Sequence, residues 1–117
     1  MARFRVSRRG EAAVRALGVL EQVGLNAKRE QHALTLSSGE AMRLGLARAL
    51  VIHPEVLFLD GPTTSLDPAN TAIIEDCLLN LRQQRQTTLI LVTHDPAQAR
   101  RLGDELLRME NGRLAAA

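Results

Sequence analysis

Apolar residues recur every three to four positions over residues 11–23, placing Val14, Leu17 and Leu20 on one side of a helix that Gly24 ends. A polar loop follows over 26–35. Ser37 or Ser38 can then cap a second helix by accepting hydrogen bonds from its first free N–H groups. That helix is predicted to run to about Ile52, with Met42, Leu46, Ala49 and Leu50 on the buried side, and Pro54 prevents its continuation. Residues 56–59, Val-Leu-Phe-Leu, form a short continuous apolar run, as expected of a strand buried on both faces. Asp67-Pro68 opens a third helix, with Asp67 as cap, Pro68 in the first turn and Ile73, Ile74, Cys77, Leu78 and Leu81 as its apolar stripe. Residues 88–93 give a second buried strand, 96–102 a short helix, and 105–109 a further strand that turns at Asn111-Gly112 into Arg113-Leu114.

The order strand, helix, strand, helix implies a right-handed crossover and parallel strands. Asp60 and His94 then stand at the C-terminal ends of the two buried strands, the edge where open parallel sheets hold ligands.

Composition narrows the class. The 117 residues are 45% hydrophobic with only Phe4 and Phe58 as aromatics, so the core is built of Leu, Val, Ile and Ala. Formal charge is +2, and Lys28 is the only lysine. Arg3, Arg5, Arg8 and Arg9 crowd the N-terminus, and residues 1–10 are expected to form a basic, disordered arm. Nucleic acid is not the expected partner, because no aromatic residues are interleaved for base stacking. Cys77 stands alone and fits a small core residue of a protein in a reducing compartment. Neither a signal peptide nor a run of about 18 apolar residues is present, so a cytoplasmic location is expected.

Four segments carry the chemistry. They are Leu36-Ser37-Ser38-Gly39-Glu40 followed by Arg43 and Leu46-Ala47-Arg48-Ala49-Leu50; Leu57-Phe58-Leu59-Asp60-Gly61-Pro62-Thr63; Thr64-Ser65-Leu66-Asp67-Pro68; and Thr93-His94-Asp95. In this order and spacing the series resembles the signature motif, Walker B, D-loop and H-loop of ABC ATPases, over residues 11–114. The resemblance implies an α/β fold: part of a P-loop NTPase parallel sheet with flanking helices, preceded by part of the helical subdomain. Residues 11–53 would be the helical and signature segment, and residues 54–117 the Walker B to H-loop segment.

The resemblance also implies roles. Ser37, Ser38, Gly39 and Glu40 would reach across a dimer to the γ-phosphate of ATP held by a second ATPase subunit, and the small residues and positive helix end suit a phosphate. Ser38 stands where Gly is usual and Glu40 where Gln is usual; plain helix capping is the alternative reading of the two serines. Asp60 would hold Mg²⁺ through water. His94 would be catalytic, contacting the γ-phosphate and the attacking water, since a neutral imidazole donates one hydrogen bond and accepts another. Asp67 would lie at the dimer seam, and helix capping reads it equally well. His32 and His53 are read as solvated polar residues.

Two departures stand out. Gly61 follows Asp60 where the family usually has the Glu that activates water. The 117 residues also contain no G-x-x-x-x-G-K-[ST] phosphate cradle, and the chain is expected to begin inside the helical subdomain. The expected function is therefore that of a truncated ATP-binding subunit of an ABC transporter, using ATP and Mg²⁺ only where a partner supplies Walker A. A transmembrane permease would be the second partner, with the subunit at the inner face of the plasma membrane. On its own the chain is expected to be inactive and to expose apolar sheet edges that dimerise, join a larger partner or aggregate. The alternatives are a non-catalytic remnant or interaction module and, less favoured, a DNA-repair or chromosome ATPase. The segment 95–112 resembles importers of oxyanions or amino acids.

Overall fold

The computed structural model describes residues 9–116. The expected basic arm lies outside them except for Arg9 and Gly10, which open the first helix instead of ending an arm.

Helix α1 spans Arg9–Gln22. It closes in a Schellman motif: Gly24 adopts φ +73°, its N–H reaches Glu21 O at 3.0 Å, and Leu25 N–H reaches Leu20 O at 2.8 Å. Two short 3₁₀ turns, Asn26–Lys28 and Ala33–Thr35, occupy the polar loop. Helix α2 spans Ser38–Leu50 with Ser37 as its cap, and helix α3 spans Pro68–Gln84 with Asp67 as its cap. Strands β1 (Val56–Asp60) and β2 (Thr88–Val92) pair in parallel, from Val56 against Thr88 to Asp60 against Val92. Helix α4 spans Pro96–Leu102. Strands β3 (Leu107–Glu110) and β4 (Arg113–Ala116) form an antiparallel hairpin, whose turn has Asn111 at φ 50° and Gly112 at φ 75°. Both values suit a two-residue turn with left-handed backbone.

One core joins the helices to one face of the β1–β2 pair. Val19, Val23 and Leu25 meet Leu46, Ala47 and Leu50 of α2, Ile74, Cys77, Leu78 and Leu81 of α3, Leu57 of β1 and Leu102 of α4. Burial pushes the Cys77 thiol above its ordinary pKa, in keeping with a core role.

Two expectations about burial are corrected, that for Met42 and that for the strands. Val14 is 71% exposed and Leu17 is also exposed, because only the C-terminal half of α1 enters the core. Met42 is exposed, since the core contacts of α2 concentrate at Leu46, Ala47 and Leu50. The two strands are covered on one face only: Leu57 is buried and Leu59, Leu89 and Leu91 are partly so, whereas Val56, Phe58, Ile90 and Val92 face outward. Phe58, at 62% exposure, marks the open side. Two-sided burial requires layers on both faces of a parallel sheet, and among the described residues the helices of the core lie against one. The expected apolar, uncharged strand edges are present, since β1 and β2 pair only with each other among the described residues. No described helix is long and apolar enough to cross a membrane.

Candidate functional site

Three helix starts and two strand ends carry the candidate residues. At α2, Ser37 Oγ accepts from Glu40 N–H at 3.2 Å and Glu40 Oε1 accepts from Ser37 N–H at 3.0 Å. This reciprocal capping box settles which serine caps: it is Ser37, and Ser38 is the first residue of the helix. The S-x-x-E spacing is legible in the sequence and gives Glu40 a structural task beside any role at a phosphate. The N–H groups of Ser38 and Gly39 have no acceptor among the described hydrogen bonds, as helix geometry requires at a first turn.

Glu40 places a negative charge at that helix start, which by itself repels an anion. Lys28 answers it, with Nζ 2.5 Å from Glu40 Oε2. The Lys28 contact, followed by the Ser37 backbone N–H, holds the Glu40 carboxyl at about 2 rather than 4.5. The folded value is depressed, so the pair stabilises the chain fully above the unfolded value of about 4.5 and loses that contribution as pH falls through about 2. Lys28→Ala is expected to move Glu40 toward the ordinary carboxylate range, read from a pH titration of its side-chain carbon by NMR. A Glu40 titration unchanged in the variant would show that the Ser37 N–H alone holds the charge. No local sequence pattern points to Lys28; the pair forms because the 3₁₀ turn Asn26–Lys28 folds back on α2.

The start of α3 lies against the start of α2. A Cβ added at Gly39 would stand 2.5 Å from Asn70 Cγ and closer still to Asn70 Oδ1, so any side chain there requires Asn70 to move. Asn70 sits beside Asp67, whose Oδ1 accepts from Asn70 N–H at 2.8 Å and whose side chain caps α3. Residues 37–40 and Asp67 are thereby brought onto adjoining helix ends.

Asp60 ends β1 and is exposed, with its Cα registered on Val92; His94 lies two residues past Val92 and is exposed too. The turn bearing His94 is fixed on both sides: Asp95 N–H donates to Thr93 Oγ1 at 3.1 Å, and Asp95 Oδ1 accepts from Ala97 N–H at 2.9 Å, capping α4. Gly61 adopts φ +55°, and its N–H donates to Val92 O at 2.9 Å. No hydrogen bond among the described residues joins Asp60, Asp67 and His94 to one another. The three share one end of the molecule's elements without forming a side-chain constellation.

Mg²⁺ fits this edge only in part. Asp60 offers an exposed carboxylate that can receive a metal-bound water, yet no cluster of three His, Cys, Asp or Glu able to hold a metal occurs among the described residues. The remaining ligands would have to come from a nucleotide.

The chain is similar to known proteins in sequence and in fold. A family profile described as ABC transporter matches residues 2–64. The methionine import ATP-binding protein MetN of Staphylococcus saprophyticus is 41% identical over 106 residues, covering 91% of this chain and 31% of MetN. The tungstate uptake system ATP-binding protein TupC of Peptoclostridium acidaminophilum is 38% identical over 99 residues, covering 85% of this chain and 46% of TupC. Among solved structures, CbiO1 of Clostridium perfringens, part of the ABC transporter complex CbiONQ, superimposes with a TM-score of 0.86 at 29% identity, over 94% of this chain and 44% of that one. The chain thus spans about a third to a half of the length of these relatives.

Proposed function

The chain belongs to the ABC transporter ATP-binding family, and from that premise we propose that it supplies the signature and D-loop half of an ATP site completed by a second ATPase subunit. The observation that carries this reading is the close approach of Gly39 to Asn70. It sets two helix N-termini side by side, with Ser38 and Gly39 N–H groups free at one and Asp67 at the other. Together they form a surface suited to the γ-phosphate of a nucleotide presented from outside. Lys28 keeps Glu40 from opposing that charge.

Asp60 and His94 belong to the other half of the chemistry. Bound Mg²⁺ would neutralise phosphate charge. Asp60 would hold one of the ion's waters, and His94, as a neutral imidazole, would hold the γ-phosphate and the attacking water in place. The subunit would work in an importer of small anions or amino acids, as the names of its methionine and tungstate relatives suggest. It would dock on a transmembrane permease from the inner face of the membrane.

A second reading is a non-catalytic interaction module, and Gly61 favours it. In the place of the water-activating Glu stands a residue with no side chain, in a left-handed backbone that suits glycine. The two readings share one expectation. Calorimetry of the 117-residue chain with Mg·ATP should show no binding in the micromolar range, roughly −8 kcal/mol, since no phosphate cradle is among its residues. A micromolar Kd for the isolated chain would show that it holds nucleotide by itself, and the trans half-site would be the wrong description.

A further inference from the structure

We propose that Gln98 is a positioning residue that ties the turn carrying His94 to the loop following Asp60, so that the two parts of the sheet edge open and close as one unit. Gln98 lies on α4 and is 3% exposed, one of two buried polar or charged residues among those described. Its Nε2 donates to Thr63 Oγ1 at 2.8 Å, across 35 residues of sequence. Burying a side-chain amide is unfavourable unless it is hydrogen-bonded, and a Leu of similar size would fill the same space without that cost. The hydroxyl of Thr63 therefore explains an amide at this position better than packing does.

What the bond connects gives it its function. Thr63 is three residues past Asp60 and starts the turn toward Asp67, its O accepting from Leu66 N–H at 3.1 Å. Before Thr63 the loop is tied to the sheet through Gly61 N–H and Val92 O, and Gly61 is the residue with the left-handed backbone. On the other side, Gln98 stands four residues past His94, on a helix held at its start by Asp95. That helix is pinned further along by Arg101, whose Nε and Nη2 reach the buried Glu75 carboxylate of α3 at 3.0 and 2.6 Å. From His94 to Gln98 the path is stiff, so a displacement of the 63–66 part of the loop, beyond the Gly61–Val92 tie, is passed to His94 through the Gln98–Thr63 hydrogen bond. This inference rests on reading Asp60 and His94 as parts of one site, but its test needs no nucleotide.

Hydrogen exchange on the full chain compares Gln98→Leu, Gln98→Glu and Thr63→Val with the parent. Gln98→Leu and Thr63→Val are each expected to raise exchange at residues 61–66 and 93–95 together, on the order of tenfold, with amides of residues 57–59 unchanged. Adding Gln98→Leu to Thr63→Val should do nothing more. In Gln98→Glu the bond reverses, with the Thr63 hydroxyl donating to the carboxylate in place of accepting from the Gln98 amide, and the protection should be kept. A uniform rise across the chain, a rise in one segment alone, or no rise in Thr63→Val overturns the proposal; should Gln98→Leu fail to fold, Thr63→Val decides it. If coupled exchange is found while Mg·ATP never promotes assembly with a partner subunit, the nucleotide reading fails and the clamp stands.

Discussion

Phosphate release from Mg·ATP by the purified chain should stay at the uncatalysed background, and Gly61→Glu should leave it there while lowering stability. A general base is worth about 10²–10⁴ in rate. The positioning that a phosphate cradle supplies is worth more, with effective molarities of about 10⁵–10⁸ M. A carboxylate at residue 61 without that cradle has no held nucleotide to act on. The backbone also resists the change. At φ +55° an L side chain is strained by roughly 1–2 kcal/mol, and its Cβ would come within 2.7 Å of Thr64 Oγ1. Thr64 can rotate away, so the lasting cost is the dihedral. Urea melts of Gly61→Glu and of Gly61→Ala should show the same loss, because it comes from the backbone and not from the charge. Phosphate release from Gly61→Glu that depends on His94 would show that this edge is a complete catalytic centre.

The largest structural effect is expected at Gly39. Gly39→Val pushes a branched side chain into Asn70, whose Cγ and Cβ lie 2.5 and 3.0 Å from where the new Cβ would stand. Overpacking of this kind costs about 1–3 kcal/mol. The Asp67 cap holds the Asn70 backbone, so Oδ1 and Cγ can turn away but Cβ, at 3.0 Å, moves only with the helix. Combining Gly39→Val with Asn70→Ala removes the Cγ and Oδ1 contacts and should recover most of the stability. Thermal melts of the two single variants and the double variant decide this. Additive losses would mean that Gly39 and Asn70 do not meet.

Much of this was legible in the sequence because the candidate residues double as punctuation. Ser37, Asp67 and Asp95 each cap a helix, and Pro54 and Pro68 mark a stop and a start, so the chemistry and the element boundaries coincide. The apolar run at 56–59 and the strand expected over 88–93 correspond to β1 and β2, which pair in parallel as the crossover rule requires. Burial was less legible. Apolar periodicity shows which face a helix can bury, not which partner reaches it, and so Met42, expected on the buried side of α2, is exposed. The continuous apolar runs of the strands imply cover on both faces, and Phe58 and Ile90 show that the described layers supply one. The pairs Lys28–Glu40, Glu75–Arg101 and Thr63–Gln98 lie beyond any local pattern, because each depends on how two elements approach in three dimensions.

Sedimentation of the chain mixed with an ATPase subunit that carries an intact phosphate cradle, with and without Mg·ATP, tests the trans half-site most directly. Residues 37–40 acting on a nucleotide held by the partner predict a one-to-one complex that forms only with Mg·ATP. Ser38→Glu, which adds negative charge at the first turn of α2 where a helix tolerates it but a phosphate does not, should abolish that complex. His94→Ala should leave it intact, since the proposed trans contact is made by residues 37–40 and not by His94. Association that ignores both nucleotide and Ser38→Glu, or that is lost in His94→Ala alone, would contradict this assignment.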